Sequence, residues 1–330
     1  MKKIFIVVVL CVVFITSCNN RNQTSDTENK LEALNEQIKK DSKNPELYLQ
    51  RAVYYQHNNS LDAALEDVEK AVELDPKNTN AYLLMSSVYI TMGKAQSAID
   101  AINKGLSVNR DNIDLLLSKA ELFFIMKDKK QCLETIETIV NIEPNTAKAY
   151  TIKGLLEMEN EETNEAINSF QKAIEINPKE YDALIQLGFI FQNIDINISA
   201  DYFKTTAKLF PDKIEPRYDL AMIYQQEEKP YEAIEMYKEI LQIDSTNSNA
   251  YYNVGYVYLT MLNDFDKSIE FFSKCIHYDN TNANAYYNRG YSYELLGNIE
   301  EAKVNYEKVL SLETNNELAI GGLNRLDELE

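Results

Sequence analysis

Small and apolar residues recur every three to four positions within short segments of this chain, and the segments recur about every thirty-four residues. In one segment Tyr48, Ala52 and Tyr55 stand at i, i+4 and i+7; in the next, Ala64, Val68 and Ala71 repeat that spacing. Such a pattern lines one face of a helix, so each period predicts two helices packed face to face. The column opened by Ala52 continues as Ser86, Ala120, Gly154, Gly188, Ala221, Gly255 and Gly290. The column opened by Ala64 continues as Ala98, Cys132, Ala166, Ser199, Ala233, Ser268 and Ala302. Small side chains there let two backbones approach closely. A bulky column, Val68, Ile102, Ile136, Phe170, Phe203, Tyr237, Phe272 and Tyr306, fills the seam between them. Gly93 and Gly297 fall in the turns, where a residue tolerant of positive φ is expected. Pro76, Pro144, Pro178 and Pro211 follow second helices and stop them.

These columns resemble the tetratricopeptide repeat, a helix-turn-helix unit of about 34 residues. The resemblance implies an all-α fold: an α-solenoid of eight such repeats coiled into a right-handed superhelix, with a concave face lined by first helices. The repeats fall at 45–78, 79–112, 113–146, 147–180, 181–213, 214–247, 248–282 and 283–316. No repeat carries the tryptophan that opens the family's pattern. Tyr48, Tyr82, Tyr150, Tyr251 and Tyr286 stand there, and Arg217 breaks the column. Glu157 replaces an aromatic residue in repeat four. The turn near Asn193 to Ile198 is one residue short, and that near Leu262 to Phe265 one residue long. The array is expected to be weakest around repeats five and six, where the short turn and Arg217 lie. Open repeat ends need covers. Residues 30–44 are expected to cap the N-terminal end through Leu31, Leu34 and Ile38, and 317–330 the other through Leu318, Leu323 and Leu326.

Ahead of the repeats, Lys2 and Lys3 precede an apolar run from Ile4 to Ile15, followed by Thr16, Ser17 and Cys18. That layout reads as a secretory signal over residues 1–17, and the run is too short for a spanning helix. Ile15-Thr16-Ser17-Cys18 resembles the lipobox of bacterial lipoproteins, which implies cleavage before Cys18 and acylation of its thiol. Residues 18–29 then read as the lipidated cysteine and a polar flexible tether. The expected location is the cell envelope, held to a membrane by lipid, on the outer membrane.

Charge narrows the partners. Without residues 1–17 the chain keeps 31 basic against 52 acidic residues, a balance of −21. Such a surface repels phosphate backbones, so no nucleic-acid partner is expected. A solvated outer face explains most of this charge; a basic partner is the alternative. No cofactor and no metal site is expected, because neither Cys-x-x-Cys, His-x-x-x-His nor a phosphate-cradling glycine loop is present. Cys132 and Cys275 read as packing residues several repeats apart, and His57 and His277 as a rim residue and a partly packed one. No catalytic constellation emerges, so the chain reads as a non-enzyme.

The concave face is expected to carry Leu49, Leu83, Leu117, Thr151, Ile185, Tyr218, Tyr252 and Tyr287, with companions four residues on that include Val53, Phe189, Met222, Tyr256 and Tyr291. Ten of the 22 tyrosines lie in residues 248–316, so the stripe turns from aliphatic to aromatic along the chain. A contiguous apolar stripe of this size is a recognition surface. The reading is a membrane-anchored scaffold that binds a protein or peptide. In topology it resembles outer-membrane lipoproteins that assist assembly of envelope complexes. A glycan-binding lipoprotein that stacks sugars on the tyrosines is the alternative. The anchor is testable directly: Cys18→Ala is expected to abolish fatty-acid labelling and processing at that residue, and a mature protein starting elsewhere would refute the lipobox.

Overall fold

The computed structural model describes residues 23 to 328. The signal segment, Cys18 and the first part of the tether lie outside the described residues. Among the described residues the chain forms eighteen α-helices and no strand. Helix α1 (Gln23–Lys40) precedes the repeats. Repeat one pairs α2 (Pro45–His57) with α3 (Leu61–Leu74), repeat two α4 (Thr79–Thr91) with α5 (Ala95–Val108), and repeat three α6 (Ile113–Ile125) with α7 (Lys129–Ile142). Repeat four pairs α8 (Ala147–Glu159) with α9 (Thr163–Ile176), and repeat five α10 (Tyr181–Phe191) with α11 (Ile196–Leu209). Repeat six pairs α12 (Glu215–Gln226) with α13 (Pro230–Ile243), and repeat seven α14 (Ser248–Val257) with α15 (Phe265–Tyr278). Repeat eight pairs α16 (Ala283–Leu295) with α17 (Ile299–Leu312), and α18 (Glu317–Asp327) closes the series. The helices form two compact units, one ending at Pro144 and the other beginning at Asn145.

Local chemistry starts these helices. Asn44, Asn78, Asn112, Asn247, Asn282 and Asn316 each accept a backbone N–H of the helix they precede, which satisfies one of its orphan donors. The same asparagine thus begins α18, which is built as a ninth first helix.

Each pair is held by the seam between small and bulky columns. A Cβ on Gly154 would stand 2.7 Å from Phe170, on Gly188 2.7 Å from Phe203, and on Gly255 3.0 Å from Phe272. Where the bulky residue is Val68, Ile102 or Ile136, the residue beneath it is Ala52, Ser86 or Ala120 instead, and all six are fully or almost fully buried. Cys132 and Cys275 are both buried free thiols. Burial pushes the Cys275 thiol up to about 12, which keeps it protonated and inert.

The irregular repeats are repaired locally. In repeats one, two and seven Tyr48, Tyr82 and Tyr251 donate their hydroxyls to backbone carbonyls six residues earlier. Arg217 replaces this anchor by donating to the Lys213 carbonyl at 2.8 Å and to Glu239 at 2.8 Å. Buried Glu157 accepts the Ser169 hydroxyl at 2.6 Å, so its carboxylate is satisfied where an aromatic ring was expected. The extra residue of repeat seven lies not in the turn but one step earlier, as a π-helical turn over Tyr258–Leu262, a common way to absorb a single insertion.

Three expectations change. Helix α1 already covers residues 23–29, assigned above to the tether, because a packed helix extends outward by one hydrogen bond per residue without needing apolar periodicity. Leu318 is exposed at 58%, and Ala319 takes the packing position in α18. His277 is exposed, its ring edge-on to Tyr278 rather than packed. Gly322 of α18 is required by contact: a Cβ there would stand 2.5 Å from Tyr306.

The inter-helix turns hold one left-handed residue each in seven repeats: Asn59, Gly93, Lys127, Glu161, Glu228, Asn263 and Gly297. Repeat five, one residue shorter, turns without one. Side chains with a Cβ are strained in this region and glycine is not. Glu161→Gly and Glu228→Gly are therefore expected to stabilise the fold by about 0.5–1 kcal/mol each, with Asn59→Gly nearly neutral because asparagine tolerates the conformation. Thermal melts of the three variants check this; no gain for either glutamate would refute it.

Candidate protein-binding face

Four positions on the first helix of each of repeats one and two border a groove. In the first unit they are identified by a shallow cavity of ≈ 400 Å³ between α2 and α4, lined by Glu46, Leu49, Gln50 and Val53 and by Asn80, Leu83, Leu84 and Ser87. Gln56 of α2 donates to Ser87 at 2.9 Å and Thr91 at 3.3 Å, tying the two walls together. Leu83 and Leu117 are half-buried. Leu49 is 6% exposed, so it forms the floor of the cavity rather than an open anchor, and Val53 is the more accessible of the pair.

In the second unit the companion column is the open one. Phe189, Met222 and Tyr256 are exposed at 38%, 46% and 41%. The first column serves seam and surface together. Tyr218 meets Tyr237 edge-on with centroids 5.7 Å apart, Tyr252 meets Phe272 at 5.5 Å, and Tyr287 meets Tyr306 at 5.6 Å. Tyr218 stays exposed, while Tyr252 and Tyr287 are half-buried. Tyr252 stacks on Tyr256 at 6.3 Å and Tyr287 on Tyr291 at 6.4 Å. Tyr291 is half-buried because α18 places the Arg325 guanidinium 5.9 Å over its ring. That guanidinium is fixed in turn by a bidentate pair with Glu294.

A ladder of amides fixes these rings. Asn253 donates to the Tyr218 hydroxyl at 3.1 Å and Asn288 to the Tyr252 hydroxyl at 3.0 Å, each across to the preceding repeat. Neither asparagine was singled out above. The signal was there: the column one residue past the stripe reads Gln186, Asp219, Asn253 and Asn288, uniformly polar.

Asp219 in that column is the electrostatic outlier. Burial, and then the neighbouring Glu215 carboxylate, push its carboxyl up to about 7. An unfolded aspartate titrates near 3.9, so the folded chain holds an extra proton between roughly pH 4 and pH 7, and stability falls as pH rises through that window.

Comparison with known proteins follows the same boundaries. Family models described as tetratricopeptide repeat match residues 56–115, 147–180, 214–247, 248–282 and 283–316. The residues between these matches fold into the same helix pairs. Among curated proteins, anaphase-promoting complex subunit 3 of Schizosaccharomyces pombe is 29% identical over 130 residues, which is 39% of this chain and 19% of that protein. The chain thus spans about a fifth of the length of that relative. Among solved structures, the MamA protein is similar at 24% identity and a TM-score of 0.47, over 52% of this chain and 93% of that one. YrrB, described as a TPR protein with an unusual peptide-binding site, is similar at 18% identity and a TM-score of 0.49, over 57% and 97%. The Cut9–Hcn1 tetramer is similar at 16% identity and a TM-score of 0.46, over 93% and 60%.

The Asp219 carboxyl supplies the prediction. Asp219→Asn is expected to melt higher than the parent at pH 8, by roughly 2 °C, and to match it at about pH 3, where the carboxyl is largely protonated in both states. Equal melting at both pH values would refute the raised titration.

Proposed function

Since the chain belongs to the tetratricopeptide repeat family, we propose that it is a non-catalytic scaffold, lipid-anchored at Cys18 in the bacterial cell envelope, that binds a peptide or protein segment on its first-helix face. The single observation that carries this reading is the open row of Phe189, Met222 and Tyr256, flanked by tyrosines whose hydroxyls are held in place. Large side chains on a rigid support offer contact area with little left to order on binding, which favours affinity. The residues over Phe272 also stabilise the seam, so a binding test needs a packing control.

Gly255 supplies it, because a side chain there collides with Phe272 and not with a ligand. Gly255→Leu is expected to destabilise by about 1–3 kcal/mol through overpacking. Combined Met222→Ala and Tyr256→Ala, at exposed positions, removes the Met222 sulfur from the Tyr237 hydroxyl and is expected to melt slightly below the parent but well above Gly255→Leu, and to weaken partner capture at least tenfold. Partners are scored by peptide array and by affinity capture from detergent-solubilised envelopes. If the alanine pair melts as low as the glycine variant, those side chains are structural. Retention on a glycan array in place of peptides would move the function to sugar binding.

A further inference from the structure

Charge is unevenly spread along the face of the second unit. Transferring the four groove positions of repeat one to repeats five and six places Asp182, Glu215 and Asp219 there, beside Tyr218 and Met222. In repeats seven and eight the corresponding polar positions hold asparagines, which are neutral. In repeats four to eight Lys148 is the one cation at these positions, and it is engaged with Asp182 at 2.8 Å. Glu215 and Asp219 stand one helical turn apart on α12, on one face, and among the described residues neither has an ion-pair partner. Glu215 is exposed to water, as are Glu235 and Glu270 on the outer faces of second helices. Asp219 is instead half-buried and pressed by a like charge. A partner cation would relieve both effects. Among the described residues no three His, Cys, Asp or Glu side chains are grouped to hold a metal ion, and two carboxylates a turn apart suit an ammonium or guanidinium group better.

Resting on the scaffold reading above, we propose that the segment bound by the second unit is a basic, extended peptide, with a lysine or arginine seated between Glu215 and Asp219 and an apolar or aromatic anchor over Tyr256. Neighbouring first helices lie about 8–10 Å apart, and extended chain advances about 3.3 Å per residue, so cation and anchor stand about three residues apart.

The test is selection of a random nonamer peptide library on the full chain in detergent, with the bound pool sequenced. The expected result is at least tenfold enrichment of Lys or Arg three residues from an apolar or aromatic position. That basic preference should vanish in Glu215→Gln/Asp219→Asn, while the apolar preference remains. Basic enrichment that survives this pair reflects bulk charge and overturns the proposal. Apolar enrichment without a basic position also overturns it and leaves the scaffold reading standing. If no enrichment depends on Met222 and Tyr256, tested as alanines, both readings fall together.

Discussion

Two helices can pack this closely only where a bulky side chain of one meets a small residue or a bare backbone of the other, and each repeat of this protein is organised around that condition. Phe170, Phe203 and Phe272 lie over Gly154, Gly188 and Gly255 at distances no Cβ could occupy without displacing them. Smaller Val68 and Ile136 leave room for Ala52 and Ala120. Sizes are matched across the seam, so first and second helices keep one spacing although their residues differ. The binding face inherits its geometry from the seam. Tyr252 and Tyr287 rest on Phe272 and Tyr306, the same rings that set the helix separation. A change in the seam therefore tilts the surface that a partner would meet.

Faults in the pattern stay local because a repeat contacts only its neighbours. Arg217 recovers the anchor of the missing tyrosine from its own helix and from Glu239. The inserted residue of repeat seven is taken up within five residues of π-helix, and α15 begins in register with Asp264 as its cap. Repeat five loses a residue and with it the left-handed turn position. In each case the helix pair survives, which is why an array can drift in sequence and keep its architecture.

Repeat boundaries, pairing and buried columns were legible in the sequence because they depend on side-chain size at fixed period. Ala64, Ala98 and Cys132 could be read as one buried column without coordinates, and all three are wholly buried. The face was legible only by column. Leu49 and Tyr256 read alike as exposed stripe residues, yet one is floor and the other open surface, because exposure depends on what the adjacent repeat lays across them. The role of Asn288 was hidden for the same reason, since its partner Tyr252 is thirty-six positions away. Leu318 was misplaced because a terminal helix has no following repeat to fix its rotation from pattern alone.

The amide-to-phenol ladder has a consequence for how such a face can change. Tyr218 depends on Asn253 and Tyr252 on Asn288, so each ring is secured by a residue that belongs to the next module. Exchanging a tyrosine alone strands an amide, and exchanging the asparagine alone frees a ring. New preferences would therefore arise through paired substitutions that straddle a module boundary. Transplanting one repeat into another array would carry over half of each pair. The smallest portable unit of recognition in this protein is the junction between two repeats.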